Sequence, residues 1–397
     1  MTRSAVIAGP ASPRVLAEWL DRGDQDRALA LPGLGGSPVN NLVHALLETG
    51  ASVELVTLAP EIDERIVLEG PGLRILIGPF RRRALHRCRD VFRSERMHVQ
   101  ELIGQTSGSV VHAFWTYEFA LGALAEPTRP TLVTAQDAPL TILRHMPDLY
   151  RLLRTAMAVT TRFRRLRLVA NSPYLAAAWR RQMLYRGEIP VIPNVVVPFA
   201  NGLRSTGLTE DGAPLILDVS GAGRLKNVEA LVRAMPRVLG DCPGARLRLL
   251  GSGLGQDSPL AALATRLEVD HAVDFLGPGD MGAVGRAHLG ATLFVHPSRE
   301  ESFGMSIAEA MSSGLPIVGC ARAGAVPWLL DSGRAGVLVD ARRPANLATA
   351  IGRLLGDRSH RLALGAAARA RAASMFSAQA VAASTLQLYE DVAGGIP

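Results

Sequence analysis

The chain has 397 residues, 48% of them hydrophobic, with 43 basic and 36 acidic side chains and a formal net charge of +7. That length is too great for one ordinary core and predicts two domains of roughly 200 residues each. Cys88, Cys242 and Cys320 lie far apart with no C-x-x-C pair, which argues against a disulfide framework or a zinc module and fits a reducing cytoplasm.

No apolar run approaches the ~20 residues that cross a bilayer, and Met1–Leu20 lacks a long apolar stretch, so no secretory signal is expected. The basic balance favours anionic partners: nucleotide phosphates, an anionic membrane surface or nucleic acid. Nucleic acid is not expected, because aromatics are only 5% of the chain and no recognition motif stands out. Lys226 is the only lysine; every other basic residue is arginine.

Apolar runs of strand length alternate with amphipathic runs of helix length, the pattern of parallel sheets covered by helices on both faces. In the first half the expected strands are Arg27–Leu31, Val53–Leu58, Leu73–Ile77, Ser109–Ala113, Thr131–Thr134, Leu168–Ala170 and Val191–Ile192. Helices are expected near 38–49, 84–105, 117–125, 148–165 and 173–184. Residues 1–196 form the first domain. A Pro-, Gly- and Asn-rich stretch, 197–213, reads as a linker. A second series follows over 214–375, with strands Leu215–Val219, Arg246–Leu250, Val273–Leu276, Thr292–His296, Pro316–Val318 and Gly336–Val339. After Ala345 the chain is helical in character to about Tyr389. The expected fold is α/β, with two doubly wound domains facing a central cleft, and ligands outside the carboxyl ends of the strands.

The strongest motif is HPSREESFGMSIAEA, His296–Ala310, between an apolar strand and a helix. Gly304 allows close backbone approach, and the first N–H groups of the following helix are unpaired, which suits a diphosphate. Glu309, one turn in, can accept hydrogen bonds from a ribose diol, and Glu301 can accept them from sugar hydroxyls. A second motif, SGAGRLKN, follows the strand LILDV. Its Arg224 and Lys226 can neutralise a departing diphosphate. Weaker signals are LLGSGLG, where Gly253 lies in a turn that can approach a nucleotide, and GLGGS at Gly33–Ser37. The latter is expected to follow the first strand and place N–H groups over phosphates. Asp24-Gln25-Asp26 reads as a solvated turn, so no metal site is expected.

Together these residues resemble family 4 of the retaining glycosyltransferases, which have the GT-B fold of two Rossmann-like domains. The resemblance is strongest from about 215 to 340. It implies that Arg224 and Lys226 hold the donor diphosphate and that Glu301 and Glu309 are the family's paired glutamates. By the same resemblance Gly304, Met305 and Ser306 give backbone contacts to phosphate, Phe275 and Leu276 lie beside the base, and Gly35 and Gly36 face the donor. It also implies that 376–397 is a helix crossing back to the first domain.

One departure matters: where the family often carries a T-x-H histidine, this chain has TAQD, with Gln136 in that place. Either Gln136 only positions the substrate, or His112 from the neighbouring strand end assists, or the chemistry is impaired.

The implied activity is a metal-independent hexosyl transfer from a UDP- or GDP-sugar to a glycan, lipid or small-molecule acceptor, in the cytoplasm or on the inner membrane face. Arg81–Arg96 and Arg144–Arg167 are basic stretches with interleaved apolar residues that suit an anionic membrane or acceptor. The rivals are a nucleotide-sugar epimerase or phosphorylase on the same fold and a non-catalytic subunit that binds nucleotide sugar.

Overall fold

The computed structural model describes residues 4–126, 128–199 and 212–394; most of the expected linker, residues 200–211, lies outside the described residues. The chain divides into two compact units, Met1–Val195 with Ala378–Pro397, and Val196–Ser377.

Among the described residues the first unit has seven strands: β1 Ser4–Ala8, β2 Ser52–Ala59, β3 Ile66–Gly70, β4 Leu73–Pro79, β5 Val110–Phe114, β6 Thr131–Ala135 and β7 Arg167–Ala170. Their order is β3-β4-β2-β1-β5-β6-β7. All neighbours are parallel except β3, an antiparallel edge strand. Parallel strands covered on both faces read as near-continuous apolar runs, and β5 and β6 are buried at every position, His112, Thr131 and Thr134 included. Two apolar clusters cover the sheet, one including Leu16, Leu46 and Leu55, the other Phe92, Phe119 and Trp179. The helix Ala378–Ala393 packs into the first of these through Val381, Leu386, Tyr389 and Val392.

Among the described residues the second unit has six strands, all parallel: β8 Leu215–Val219, β9 Arg246–Leu250, β10 Val273–Gly277, β11 Leu293–His296, β12 Ile317–Cys320 and β13 Val337–Val339. The order β10-β9-β8-β11-β12-β13 reverses direction between β8 and β11. In such sheets the chain diverges to opposite sides at that point and leaves a crevice at the carboxyl ends of the two strands. Phe294, Ile307, Met311 and Phe376 anchor its core.

Several expectations fail in the first unit. Arg27–Leu31 is not a strand: Arg22–Ala30 is a helix, as its Arg, Ala and Leu content favours. The first strand is Ser4–Ala8 instead. The GLGGS loop therefore does not follow a strand, and Asp24-Gln25-Asp26 is helical rather than a turn. Asp24 accepts from the Glu69 N–H at 2.8 Å and pairs with Arg27 at 2.6 Å. The helix expected over 84–105 is two, Ala84–Arg89 and Arg93–Ile103, because Val91 and Phe92 take positive φ between them. Val191 makes only an isolated bridge to Ala170.

Candidate functional site

In the second unit the loops after β8, β9 and β11 are tied together by their backbones. Ser220 N–H donates to Leu250 O at 3.0 Å, Ala222 N–H to Ser252 O at 2.9 Å, and Arg299 N–H to Leu225 O at 2.7 Å. Gly251 makes the first approach possible: its φ is 150°, and a Cβ there would sit 1.6 Å from Ser220 O. Asn227, whose φ is 56°, clamps the same loops. Its amide donates to Pro297 O and Ala341 O, both at 3.0 Å, and its carbonyl accepts from the Arg299 guanidinium at 3.0 and 3.1 Å.

This scaffold brings Lys226 to Glu301. The ammonium donates to Glu301 Oε1 at 2.6 Å. The same oxygen accepts from His296 Nε2 at 2.7 Å, and His296 Nδ1 faces Asp218 Oδ1 at 3.4 Å. His296 and Asp218 are wholly buried, at the end of β11 and inside β8. Ser220 Oγ donates to the other Asp218 oxygen at 2.6 Å. Burial raises the Glu301 carboxyl, but the hydrogen bonds and charges of His296 and Lys226 outweigh it and hold the group at about 2. Burial lowers the affinity of His296 for its proton, and the two carboxylates reverse that, so its pKa is raised.

The helix Met305–Ser312 starts at Gly304, whose φ is 99°, with no side-chain cap. Its first-turn N–H groups, those of Met305 and Ser306 among them, have no carbonyl one turn back to bond, and the positive end of the helix dipole adds to them. Glu309 is half-buried on this helix, and desolvation pushes its carboxyl up to about 7. Arg224 is exposed at the tip of the β8 loop. Gly253, φ 75°, lies in the β9 loop. On β10 Phe275 is buried in the core while Leu276 is 52% exposed. Lys226 and Glu301 are thus in direct contact, and Gly304, Met305, Ser306 and Glu309 follow on the same β11 segment. Sequence reasoning missed Asp218, Asn227 and His296. The signal for two of them was a charged or titratable residue inside an otherwise apolar strand.

The first unit holds the remaining candidates. Gly36, φ 79°, starts the helix Ser37–Glu48, and a Cβ on it would sit 1.8 Å from Pro10 O. Leu34 N–H donates to Ala11 O at 3.0 Å. The glycine loop with Gly35 is therefore held at the carboxyl end of β1, although it follows a helix. His112 is a packed residue: it is buried, with Nδ1 2.8 Å from the Tyr389 hydroxyl and Nε2 2.6 Å from Thr134 Oγ1. Burial lowers its pKa to about 3, so it is neutral with both nitrogens engaged. Gln136 is also buried. Its amide donates to Asn194 Oδ1 at 3.0 Å, and its carbonyl accepts from Asn171 at 2.9 Å and Asn194 at 3.1 Å. A neutral amide cluster centred on Gln136 thus stands at the end of β6.

A doubly wound sheet in each unit, with Lys226 against Glu301 at the strand-end loops of the second and an uncapped helix start following in the same segment, is the arrangement of the GT-B fold. Solved structures carry the same fold. The chain superposes on the sucrose-phosphate synthase of Thermosynechococcus elongatus with a TM-score of 0.77 at 21% identity, covering 99% of this chain and 100% of that one. It superposes on Anabaena HepE, solved in complex with UDP, with a TM-score of 0.67 at 19% identity, covering 98% and 100%. Residues 203–371 match the family model of glycosyl transferases group 1, in keeping with the family 4 resemblance.

Among curated relatives, the D-inositol 3-phosphate glycosyltransferase of Corynebacterium kroppenstedtii is 36% identical over 185 residues, 45% of this chain and 41% of that protein. The enzyme of that name from a Nocardioides species is 36% identical over 202 residues, 46% and 42% of the two chains. The matched segments thus span less than half of these two relatives.

Proposed function

We propose that this protein is a retaining, metal-independent glycosyltransferase that moves a hexose-type sugar from a UDP- or GDP-sugar to an acceptor. The observation that carries the reading is the chain's only lysine, fixed at 2.6 Å against Glu301 at the strand-end loops of a doubly wound unit. Residues 214–375 bind the donor; residues 1–196 with the helix within 376–397 serve the acceptor. Arg224, Lys226 and the N–H groups of Met305 and Ser306 take up charge on the departing diphosphate. Gly35, Gly36 and Gly253 allow backbone approach to the donor, Leu276, exposed on β10 where Phe275 is buried in the core, lies along the base, and Glu309 accepts from the ribose.

Glu301, ionised and anchored through one oxygen, orients the sugar. The leaving phosphate takes the acceptor proton as the new bond forms on the face the nucleotide leaves, so no protein base is needed. Gln136 belongs to a fixed neutral network and positions rather than titrates. Since the relatives' names specify inositol 3-phosphate as acceptor, a polyol phosphate is the first acceptor to offer.

The decisive experiment is a thermal-shift screen against UDP-, GDP-, ADP- and dTDP-sugars, followed by turnover with polyol-phosphate, glycan and lipid acceptors in excess chelator. Stabilisation by one nucleotide series with acceptor-dependent release of its diphosphate is expected. Epimerised donor without acceptor, or chelator-abolished turnover, would overturn the reading. A peripheral membrane contact on the cytoplasmic side is supported by the helix Leu149–Arg162. It leaves Leu149, Leu152 and Val159 exposed, with Phe163 just beyond its end and arginines beside them. Sedimentation with phosphatidylglycerol vesicles but not phosphatidylcholine vesicles is expected, and equal recovery with both would exclude it.

A further inference from the structure

We propose that His296 is a resident imidazolium that, backed by Asp218, positions the carboxylate of Glu301 and through it the ammonium of Lys226. The geometry leaves the ring little choice. Nε2 is 2.7 Å from a Glu301 oxygen and Nδ1 is 3.4 Å from an Asp218 oxygen. Neither His296 Nδ1 nor Asp218 Oδ1 has a hydrogen-bond partner among the described residues, and at 3.4 Å each faces the other across an ion-pair distance. An ionised carboxylate only accepts, and a neutral imidazole donates from one nitrogen alone. A neutral ring would therefore turn a lone pair on one carboxylate where the ring and Asp218 are wholly buried, a costly arrangement. A ring protonated on both nitrogens satisfies both partners.

The groups facing His296 are Asp218 on β8, Glu301 on the β11 loop and, through Glu301, Lys226 on the β8 loop; Ser220 holds Asp218 from behind. The four charges alternate, negative, positive, negative, positive, from the core to the loop surface. With His296 charged, Glu301 is balanced from the buried side, and the positive charge of Lys226 stays available to an incoming anion. Without it, two buried carboxylates would face one ammonium, and Lys226 would be neutralised by the protein itself. The raised proton affinity of His296 agrees with this arrangement.

The role in phosphate binding rests on the transferase reading, but the charge state does not, and the two are tested separately. Lys226 is the only lysine, so lysine labelled with 13C and 15N gives one side-chain signal without assignment. Histidine labelled with 15N, compared between the wild type and His296→Asn, isolates the His296 ring. In the nucleotide-free protein both ring nitrogens are expected in the protonated range at pH 7. Asp218→Asn is expected to move the ring's titration down by about one unit or more, and His296→Asn to shift the Lys226 signal.

A ring with one bare nitrogen at pH 7, or a Lys226 signal indifferent to both substitutions, would overturn the proposal whatever the activity. Should His296→Asn not fold, Asp218→Asn carries the test alone: a ring titration that does not move would overturn it. For the functional arm, UDP affinity is expected to fall about tenfold or more in His296→Asn, consistent with the loss of one charge-assisted interaction. Unchanged affinity together with a protonated ring would confine His296 to holding Glu301 and overturn its action through Lys226.

Discussion

The two units share one strand order about their switch points but fill the carboxyl ends of their strands differently. At the end of β6 the first unit sets a neutral amide cluster, Gln136 with Asn171 and Asn194, and near it a neutral His112. At β8 and β11 the second unit sets a chain of alternating charges, Asp218, His296, Glu301 and Lys226. The lesson is that the doubly wound sheet supplies a place and the side chains supply the chemistry. A charged array built around one lysine suits an anion that gains charge during reaction, whereas a neutral amide network, with the Asn171 oxygen left without a hydrogen-bond partner among the described residues, suits a neutral, hydroxyl-rich molecule.

Substitutions sharpen this contrast. The largest effect belongs to the charged array: Lys226→Ala or Glu301→Gln is expected to lower kcat by about 10²–10³, as removal of one preorganised charge-stabilising group does. Steady-state kinetics with a saturating donor checks it. If Gln136→Ala costs as much activity as Lys226→Ala, the division between units is wrong. The expectation for Gln136→Ala is instead mainly a loss of stability of about 1–3 kcal/mol, from leaving buried amide partners unsatisfied, read from denaturant midpoints. Gly36→Ala places a Cβ against Pro10 O at positive φ. It is expected to lower the melting temperature by several degrees, for a cost of about 1–3 kcal/mol.

The smallest effect is a pH signature of Glu309. Its pKa in the folded chain is raised to about 7 from an ordinary 4.5 by desolvation, so the folded state holds the proton more tightly than the unfolded one. The contribution of Glu309 to stability is then largest below pH 4.5, falls as the pH rises from there to about 7, and is flat above. Glu309→Gln should remove that slope, and melting curves from pH 4 to 8 for the two proteins measure it. Because a ribose diol donates to the ionised form, donor affinity should rise over the same interval in the wild type and stay level in the variant.

The contrast also governs what the sequence makes legible. All six strands of the second unit read within a residue or two, because buried parallel strands are contiguous apolar runs between glycine-rich turns. In the first unit Arg27–Leu31 imitates a strand by composition yet lies largely in a helix, and β3 is a half-exposed edge without a clean apolar run. Lys226, Glu301 and Glu309 announce themselves by motif. His296 and Asp218 do not, since their meaning depends on β8 and β11 becoming neighbours, with Leu293 in register with Ile216 and Phe294 with Leu217. His112 shows the reverse error: a histidine at a strand end looks chemical in the sequence, but burial and two engaged nitrogens make it part of the packing.

The central claim is that the strand-end loops of the second unit bind a nucleoside diphosphate sugar through Lys226. Titration calorimetry of UDP- and GDP-sugars into the wild type and Lys226→Ala tests it most directly. Binding by the wild type that weakens at least tenfold in the variant is predicted. No heat with either sugar nucleotide at millimolar concentration, or equal affinity in both proteins, would contradict it.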